Sequence, residues 1–162
     1  MTGRFDAREL FRVLNEHEVD YVTIGGIAVQ AHGGQRVTQD LDVAVASSRA
    51  NYDLLAAALE ELGARILGPD GQRSESVPSA SLLASGEQWH LITSHGRIDI
   101  ITPPARLGSF AEMRDRAHLV PLGDLSVPIA SRDDLLVLER AAGRPQDLAD
   151  IRLLESLGDG SK

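Results

Sequence analysis

The sequence predicts an α/β or α+β domain. Runs with the apolar spacing of helices are interspersed with short alternating runs typical of strands. The first half follows the order helix, strand, helix, strand, helix, and the second half has mostly antiparallel strands followed by a helical C-terminus. No repeat, linker or low-complexity tract divides the 162 residues. We therefore expect a single domain, with a core over residues 8–130 and C-terminal helices over residues 131–157.

Helices are marked by apolar residues three to four positions apart and by suitable end residues. Ser131 suits a helix start, Pro145 suits a first turn, and Gly63 suits a helix end. The expected helices lie at residues 5–19, 27–32, 49–64, 109–118, 131–143 and 144–158.

Strands are marked by short alternating or apolar runs that stop at turn residues. The tripeptide "SHG" joins two of these runs as a hairpin, and "GD" at 123–124 centres another. The expected strands lie at residues 21–24, 40–46, 87–93 and 97–102, and in a hairpin over 119–130. Residues 68–80 are polar and rich in Pro, Gly and Ser, so we expect a loop there.

Composition excludes several classes of protein. The formal net charge of -8 disfavours binding of nucleic acid through bulk charge, although a local basic groove remains compatible with it. The absence of cysteine excludes disulfides and thiolate metal sites and suits a reducing cytoplasm. No apolar run is long enough to span a membrane, and the charged start "MTGRFDAREL" lacks the apolar core of a signal peptide. We expect a cytoplasmic protein with no membrane partner.

Asp40 and Asp42 stand two residues apart in "DLDVAVA", which otherwise has the pattern of a strand. On a strand they project from one face, with Cα atoms roughly 7 Å apart. Two like charges this close repel, so either one carboxylate takes up a proton or a cation binds between them. Carboxylate oxygens suit Mg²⁺ or Mn²⁺. The alternative interpretation is an exposed edge strand whose acids face water.

Asp99, in "GRIDIIT", is a third acid within a strand pattern. If its strand pairs beside that of Asp40 and Asp42, the three carboxylates form one cluster. Such a cluster can hold two divalent ions ~3.5–4 Å apart, the arrangement that serves in-line phosphoryl transfer.

Gly25 and Gly26 follow the strand "YVTI" and open a helix. Without Cβ atoms, their backbone N–H groups can approach a phosphate closely. A plain tight turn is the alternative interpretation, and the order of the pieces favours the phosphate contact: strand, Gly-Gly, helix, then the two strands that carry acids.

This order resembles the nucleotidyltransferase superfamily that includes DNA polymerase β. The superfamily signature is an hG[G/S] turn, a spacer, Dh[D/E]h, and a third carboxylate on a neighbouring strand; here the pieces are "IGG", "DLDV" and "IDI". The segments "IGGIAVQAHGGQRVTQDLDV" and "AAGRPQDLADI" are similar to one branch, the minimal AbiEii-like nucleotidyltransferases, which include the MenT-type toxins of toxin–antitoxin pairs. The resemblance covers roughly residues 8–157.

The resemblance implies a mixed, twisted sheet flanked by helices and a magnesium-dependent (or manganese-dependent) active site. Asp40 and Asp42 would be metal ligands. Asp99 would complete the metal site and help to activate the acceptor hydroxyl.

The resemblance also implies a nucleotide subsite. Gly25 and Gly26 would cradle the triphosphate, and Arg36 and Thr38 are candidates for contacts to the nucleotide's phosphates or sugar. Guanidinium binds phosphate oxygens in a bidentate manner, which suits Arg36. A solvated loop arginine is the alternative interpretation of that residue.

The sequence departs from the branch at Glu139, where these proteins commonly carry a phosphate-binding lysine before "AAGR". The chain's only lysine is the final residue, Lys162. Arg140 lies ~100° round the helix from position 139, so it does not simply replace that lysine. Arg144 or Arg132 could reach the site from another direction.

The segment "RPQDLADI" matches the C-terminal motif of the branch. Asp147 either helps to shape the nucleotide site or serves as a first-turn acid favoured by the helix dipole, whereas Asp150 is expected to be structural. The histidines show no metal-ligand spacing; His32 and His95 are expected in turns near the site, as turn or surface residues. Trp89 is expected in the core.

We expect an enzyme that transfers a nucleoside monophosphate from an NTP to a hydroxyl acceptor. The resemblance suggests an RNA acceptor such as a tRNA 3′ end, or a protein side chain, in a toxin with a possible cognate antitoxin. Small aminoglycoside-like acceptors remain open. Because of Glu139, a nucleotide-binding or interaction protein without turnover, on the same fold, is the alternative hypothesis.

Overall fold

One seven-stranded sheet is the centre of the molecule, which we describe from a computed structural model for residues 4–34 and 37–160, excluding the side chains of Gln146 and residues 158–160. The strands are β1 (Tyr21–Ile24), β2 (Asp40–Val45), β3 (Arg65–Ile66), β4 (Gln88–Thr93), β5 (Gly96–Ile101), β6 (His118–Leu122) and β7 (Leu125–Ile129). They lie in the order β3-β4-β5-β2-β1-β7-β6. The pairs β2–β5 and β1–β7 are parallel and the others antiparallel, which confirms the expected mixed sheet.

Seven helices and one short 3-10 turn surround this sheet in the described part of the chain. Side-chain oxygens accept backbone N–H hydrogen bonds at the starts of the helices that begin after Asp6, Ser48, Ser79, Ser109 and Ser131, and these bonds satisfy donors that a helix start leaves open. The helices are α1 (Ala7–Glu16), α2 (Gly25–Ala31), α3 (Arg49–Glu61), α4 (Ala80–Ala84), α5 (Phe110–Arg116), α6 (Arg132–Ala142) and α7 (Pro145–Gly160), and the 3-10 turn is Ala105–Leu107.

Strand β2 separates the core from the acidic side of the sheet. Leu41 and Val43 are fully buried on one face, where α1 contacts both β2 and α3, while Asp40 and Asp42 point to the other face. The same alternation holds in β5, where Ile98 is fully buried. Packing in the core therefore fixes the register of both strands that carry acids and the face to which the acids point.

The structure corrects the sequence prediction in three places. Strand β3 and helix α4 were not expected, because elements of two and five residues are too short to show a period. Helix α2 begins at Gly25 rather than at residue 27, so both glycines belong to its first turn. In addition, none of the helices in the described ranges is long and apolar enough to cross a membrane.

Truncation of Leu41, which lies between the two aspartates of β2, tests how strongly the core holds this strand. We expect Leu41→Ala to lower the free energy of unfolding by about 3 kcal/mol, because the side chain is fully buried and leaves a cavity. Urea unfolding followed by circular dichroism measures the change. Leu119→Ala, at a position 60% exposed on β6, is the control and should cost under about 0.5 kcal/mol. Equal losses would contradict the assignment of Leu41 to the core.

Candidate active site

Four side chains form a row across four neighbouring strands, on the face opposite the core. His90 of β4 lies opposite Asp99 of β5, Asp99 lies beside Asp42 of β2, and Asp42 lies opposite Ile24 at the end of β1. Directly paired residues in a sheet project to the same face. The pairing on which the three-acid cluster depended is therefore present, with Asp42 and Asp99 in direct register.

Asp40 and Arg97 lie two residues before Asp42 and Asp99 on the same two strands, and they are also cross-strand partners. The Arg97 guanidinium lies 3.9 Å from Asp40 (Nε to Oδ1) and 3.5 Å from Asp99 (Nη2 to Oδ1), which is too far for hydrogen bonds. Oδ1 of Asp99 is buried and accepts no hydrogen bond from the described residues. Arg97 therefore offsets the negative charge only in part.

The electrostatics of Asp42 show how crowded the acids are. Burial raises the pKa of Asp42, and the neighbouring carboxylates of Asp99 and Asp40 raise it further, to about 7. The positive charge of Arg144 lowers it, but less than these effects raise it. At neutral pH the site can thus neutralise itself by taking up a proton, or it can accept a cation.

The two glycines bring backbone close to the acid cluster. Gly25 has φ +71°, a region that favours glycine, and a Cβ atom there would collide with the Asp42 carboxylate. A Cβ on Gly26 would lie 2.9 Å from Cβ of Thr38. The Thr38 hydroxyl lies 3.2 Å from the backbone oxygen of Asp40 and donates a hydrogen bond to it, which fixes the chain just before β2. Both glycines are therefore required by the close approach of these elements.

The acids line a cleft of about 220 Å³ between the sheet and the last two helices. Residues from the sheet form one side, and residues from α6 and the start of α7 form the other. The lining residues are Ile24, Gly25, Thr38, Asp40, Asp42, Gln88, His90, Asp99, Ile101, Leu138, Glu139, Ala142, Arg144 and Asp147.

A buried network on the helical side of the cleft holds Arg144. Asp147 is 1% exposed, and its Oδ2 accepts hydrogen bonds from the Arg144 backbone N–H (2.9 Å) and from Nε of Arg144 (2.8 Å). Burial alone would raise the pKa of Asp147, but hydrogen bonds from Glu139 and Arg144 lower it to about 2. The Arg144 side chain remains 63% exposed, so its charge is anchored and still accessible from the cleft.

Glu139 belongs to the same network and is 5% exposed. Its carboxyl oxygens lie with those of Asp147 and Asp150 in a group whose ligand atoms are within 4.8 Å of one another. Burial, together with hydrogen bonding and repulsion from these two acids, raises the pKa of Glu139 to about 9. Glu139 is therefore protonated at neutral pH. The positive charge of this network is on Arg144, whereas the branch has it on a lysine at position 139.

The structure brings most of the candidate site residues together, but not all of them. Arg140 does not line the cleft; it lies in the last turn of α6 and pairs with Glu155 at 2.8 Å. Arg132 also points elsewhere, since its Nε donates to the backbone oxygen of Leu154. Arg36 lies outside the described residues. Of the arginines considered as substitutes for the missing lysine, Arg144 is the one that reaches the cleft.

Two polar residues of the cleft were missed by the sequence analysis. Gln88 and His90 alternate with Trp89 along β4, so the sequence indicates that they share a face. It does not indicate that β4 pairs with β5, which places His90 opposite Asp99. The His90 ring lies 3.1 Å from Asp99 (Nδ1 to Oδ1). His32 and His95 lie in turns, as expected, and neither lines the cleft.

Comparisons with known proteins identify the fold. A scan against protein-family models finds no match, and no curated protein sequence matches. Among solved structures, the chain is similar to ANT(2″)-Ia in complex with adenylyl-2″-tobramycin (16% identity, TM-score 0.61, 95% of this chain and 88% of that one). It is also similar to the lincosamide antibiotic adenylyltransferase LnuA with lincomycin bound (16% identity, TM-score 0.61, 96% of this chain and 99% of that one). A third similar structure is an antigenic nucleotidyltransferase-like protein from Paracoccidioides brasiliensis (17% identity, TM-score 0.58, 96% of this chain and 78% of that one). The chain thus has the nucleotidyltransferase fold.

The raised pKa of Asp42 predicts an unusual dependence of stability on pH. In the folded state the carboxyl keeps its proton up to about pH 7, whereas the ordinary value is 3.8. The stability contributed by this proton is present below about pH 4 and is lost as the pH rises through about 7. We expect Asp42→Asn, which has no charge to bury, to exceed the wild type at pH 8 by on the order of 1–3 kcal/mol in urea unfolding with EDTA.

The difference between Asp42→Asn and the wild type should shrink at pH 5. Asp53→Asn is the matched control, since Asp53 is an exposed acid on α3 that pairs with Arg49 at 3.3 Å. A gain in stability that is the same at both pH values, or that also appears in Asp53→Asn, would contradict this account of Asp42.

Proposed function

We propose that this protein is a metal-dependent nucleotidyltransferase that transfers a nucleoside monophosphate from an NTP to a hydroxyl group. The observation that carries the proposal is the three-acid cluster of Asp40, Asp42 and Asp99, with the backbone of Gly25 against one of its carboxylates. The shared fold supports the same class of reaction, because the similar structures include two adenylyltransferases.

The chemistry of the three sheet acids suits a divalent cation, although among the described residues the acids whose ligand atoms lie within 4.8 Å of one another are Glu139, Asp147 and Asp150. Oδ1 of Asp99 is a buried oxygen that accepts no hydrogen bond from the described residues, and burial together with the neighbouring carboxylates raises the pKa of Asp42. Hard carboxylate oxygens are the ligands that Mg²⁺ and Mn²⁺ prefer. Asp40, Asp42 and Asp99 would hold the metal, which would neutralise the carboxylates and stabilise charge on the phosphates.

The nucleotide subsite lies at the Gly25 end of the cluster. Gly25 presents backbone with no side chain to the cleft, and Thr38 borders the same end. Gly26 is buried against Thr38 and does not line the cleft, so its phosphate contact stays a prediction. Arg144 would supply the cation that the branch places at position 139, and Asp147 would hold it in position. Arg36, in the segment that precedes β2, remains a proposed phosphate or sugar contact.

The chain's residues account for each part of the transfer. The acceptor oxygen forms a bond to the α-phosphorus, and the bond from that phosphorus to the oxygen that bridges to the β-phosphorus breaks. The bonding pair leaves with pyrophosphate, whose charge Arg144 would help to stabilise. Asp99, at the far end of the acid cluster from Gly25, would take the hydroxyl proton.

The acceptor is proposed from resemblance rather than from the cleft. The AbiEii-like branch suggests an RNA or tRNA 3′ end, or a protein side chain, and a toxin role with a cognate antitoxin. The similar structures favour a second class, small hydroxylated antibiotics, since their ligands are adenylyl-2″-tobramycin and lincomycin. A fold-level likeness does not decide between these classes.

A nucleotide-binding protein without turnover is the alternative function, and Glu139 favours it because no lysine stands at that position. The protonated state of Glu139 weakens this objection. At neutral pH the residue adds no negative charge to the phosphate end, and Arg144 lines the same cleft. We therefore retain the enzyme as the proposed function.

A transfer assay tests the proposed function directly. The protein is incubated with each α-labelled NTP, Mg²⁺, and either total RNA, total protein, tobramycin or lincomycin. We expect label on one acceptor, and we expect loss of that label with EDTA or in Asp42→Ala, by at least about a hundred-fold, since the metal site is disrupted.

The matched control for this assay is Asp53→Ala, on the exposed surface of α3, which should transfer as the wild type does. No transfer to any acceptor, together with NTP binding in calorimetry, would instead establish the binding protein. Transfer that persists unchanged in Asp42→Ala would contradict the assigned site.

Two neighbouring arginines separate the proposed phosphate contact from general surface charge. We expect Arg144→Ala to weaken binding of Mg²⁺–NTP about ten-fold or more, because it removes a charge-assisted hydrogen-bond donor from the cleft. Arg140→Ala removes the same charge from a residue that pairs with Glu155 outside the cleft, and it should change binding less than about two-fold. Calorimetry with an α,β-methylene NTP analogue measures both. Equal effects of the two variants would rule out a specific role for Arg144.

A further inference from the structure

We propose that His90, on β4, binds the acceptor hydroxyl and forms the acceptor end of the cleft together with Gln88. This inference rests on the proposed function, because it assigns the side of the site that the nucleotide does not use. No motif in the sequence marks either residue, and the assignment comes from the order of strands in the sheet and from one short contact.

The order of strands gives the cleft two distinct ends. Along the row described above, Ile24 and the adjoining Gly25 lie at one end, Asp42 and Asp99 lie in the middle, and His90 lies at the other end. Three steps of about 4.8 Å between strands separate the ends by roughly 14 Å. Both ends line the same cleft.

In-line transfer assigns a role to each end. The attacking oxygen and the departing pyrophosphate lie on opposite sides of the α-phosphorus. If the β- and γ-phosphates lie against Gly25 and near Arg144, the α-phosphorus lies over the acids, and the acceptor must approach from the side of β4. His90 and Gln88 are the polar side chains that β4 contributes to the cleft lining.

The position of the His90 ring suits a hydroxyl ligand. Its Nδ1 lies 3.1 Å from Oδ1 of Asp99, and the side chain is 48% exposed, so the ring reaches both the carboxylate and the open cleft. A neutral imidazole carries its proton on either nitrogen, and with the proton on Nε2 the ring donates to the oxygen of an incoming hydroxyl and leaves that hydroxyl's hydrogen for Asp99. A hydroxyl held there is directed toward the α-phosphorus above the acids.

Gln88 extends the same surface. It lies two residues before His90 on β4 and opposite Ile101, another cleft residue. Its amide can donate and accept, which suits a second hydroxyl or a ring oxygen on the acceptor. Trp89, between them, points to the other face and donates its indole N–H to the backbone oxygen of Leu83, which fixes the orientation of β4.

A comparison of acceptor and nucleotide binding tests this inference. The acceptor probe is the RNA fraction, protein fraction, tobramycin or lincomycin that takes label from the wild type, and the nucleotide probe is the matching α,β-methylene analogue with Mg²⁺. For His90→Ala we expect the half-saturating acceptor concentration to rise about ten-fold, from loss of one hydrogen bond. Binding of the analogue should stay within about two-fold. His90→Gln, which keeps a donor and an acceptor, should restore most of the affinity for the acceptor.

His95→Ala is the matched control, because His95 is the nearby histidine in the turn between β4 and β5 and does not line the cleft. It should leave both quantities unchanged. An unchanged acceptor concentration in His90→Ala, or an equal loss of analogue binding, would overturn the assignment of His90 to the acceptor. If the wild type neither binds the analogue nor transfers label, the proposed function itself fails, and the inference fails with it.

Discussion

Repulsion between Asp42 and Asp99 is the constraint on which the rest of the site depends. The two carboxylates are direct neighbours on paired parallel strands, and neither strand can slide, because alternate residues such as Leu41 and Ile98 are fully buried on the other face. A shift by one residue would bury both acids and expose the core residues. The fold therefore holds two like charges together and keeps them in place until a proton or a cation neutralises them. Burial and the repulsion of the neighbouring carboxylates together raise the pKa of Asp42.

A second set of acids stands across the cleft and is neutralised differently. Asp147 is charged and receives hydrogen bonds from Arg144, whereas Glu139 keeps a proton because it is buried beside other carboxyls. The acids of the sheet are thus left open to a cation. The acids of the helices are instead neutralised by a proton on Glu139 and by the positive charge of Arg144. The contrast explains why we place the metal at the sheet and use the helical group only to position Arg144.

The sequence predicted the acidic face of β2 because a period of two is sufficient to place Asp40 and Asp42 together. It could not predict that Asp99 is the direct partner of Asp42, since strand register depends on packing between segments more than fifty residues apart. For the same reason it missed His90, whose face was evident from alternation but whose neighbour was not.

The two candidate arginines show how the end of a helix decides which side chain lines the cleft. Arg140 lies in the last turn of α6, whereas Arg144 follows Gly143, which ends that helix with φ +67° and turns the chain toward the cleft. A glycine signals such an end in the sequence, but not the direction that follows it. A distance of four residues along the chain therefore separates a surface ion pair from a residue that lines the cleft.

Binding of Mn²⁺ is the most direct test of the central claim that the acids of β2 and β5 form a cation site completed by nucleotide. Electron paramagnetic resonance measures free Mn²⁺ at pH 7.5, with and without an α,β-methylene NTP analogue. We predict that the wild type binds Mn²⁺ more tightly when the analogue is present, and that Asp99→Asn loses this increase. Equal binding by the wild type and Asp99→Asn, with no effect of the analogue, would contradict the account.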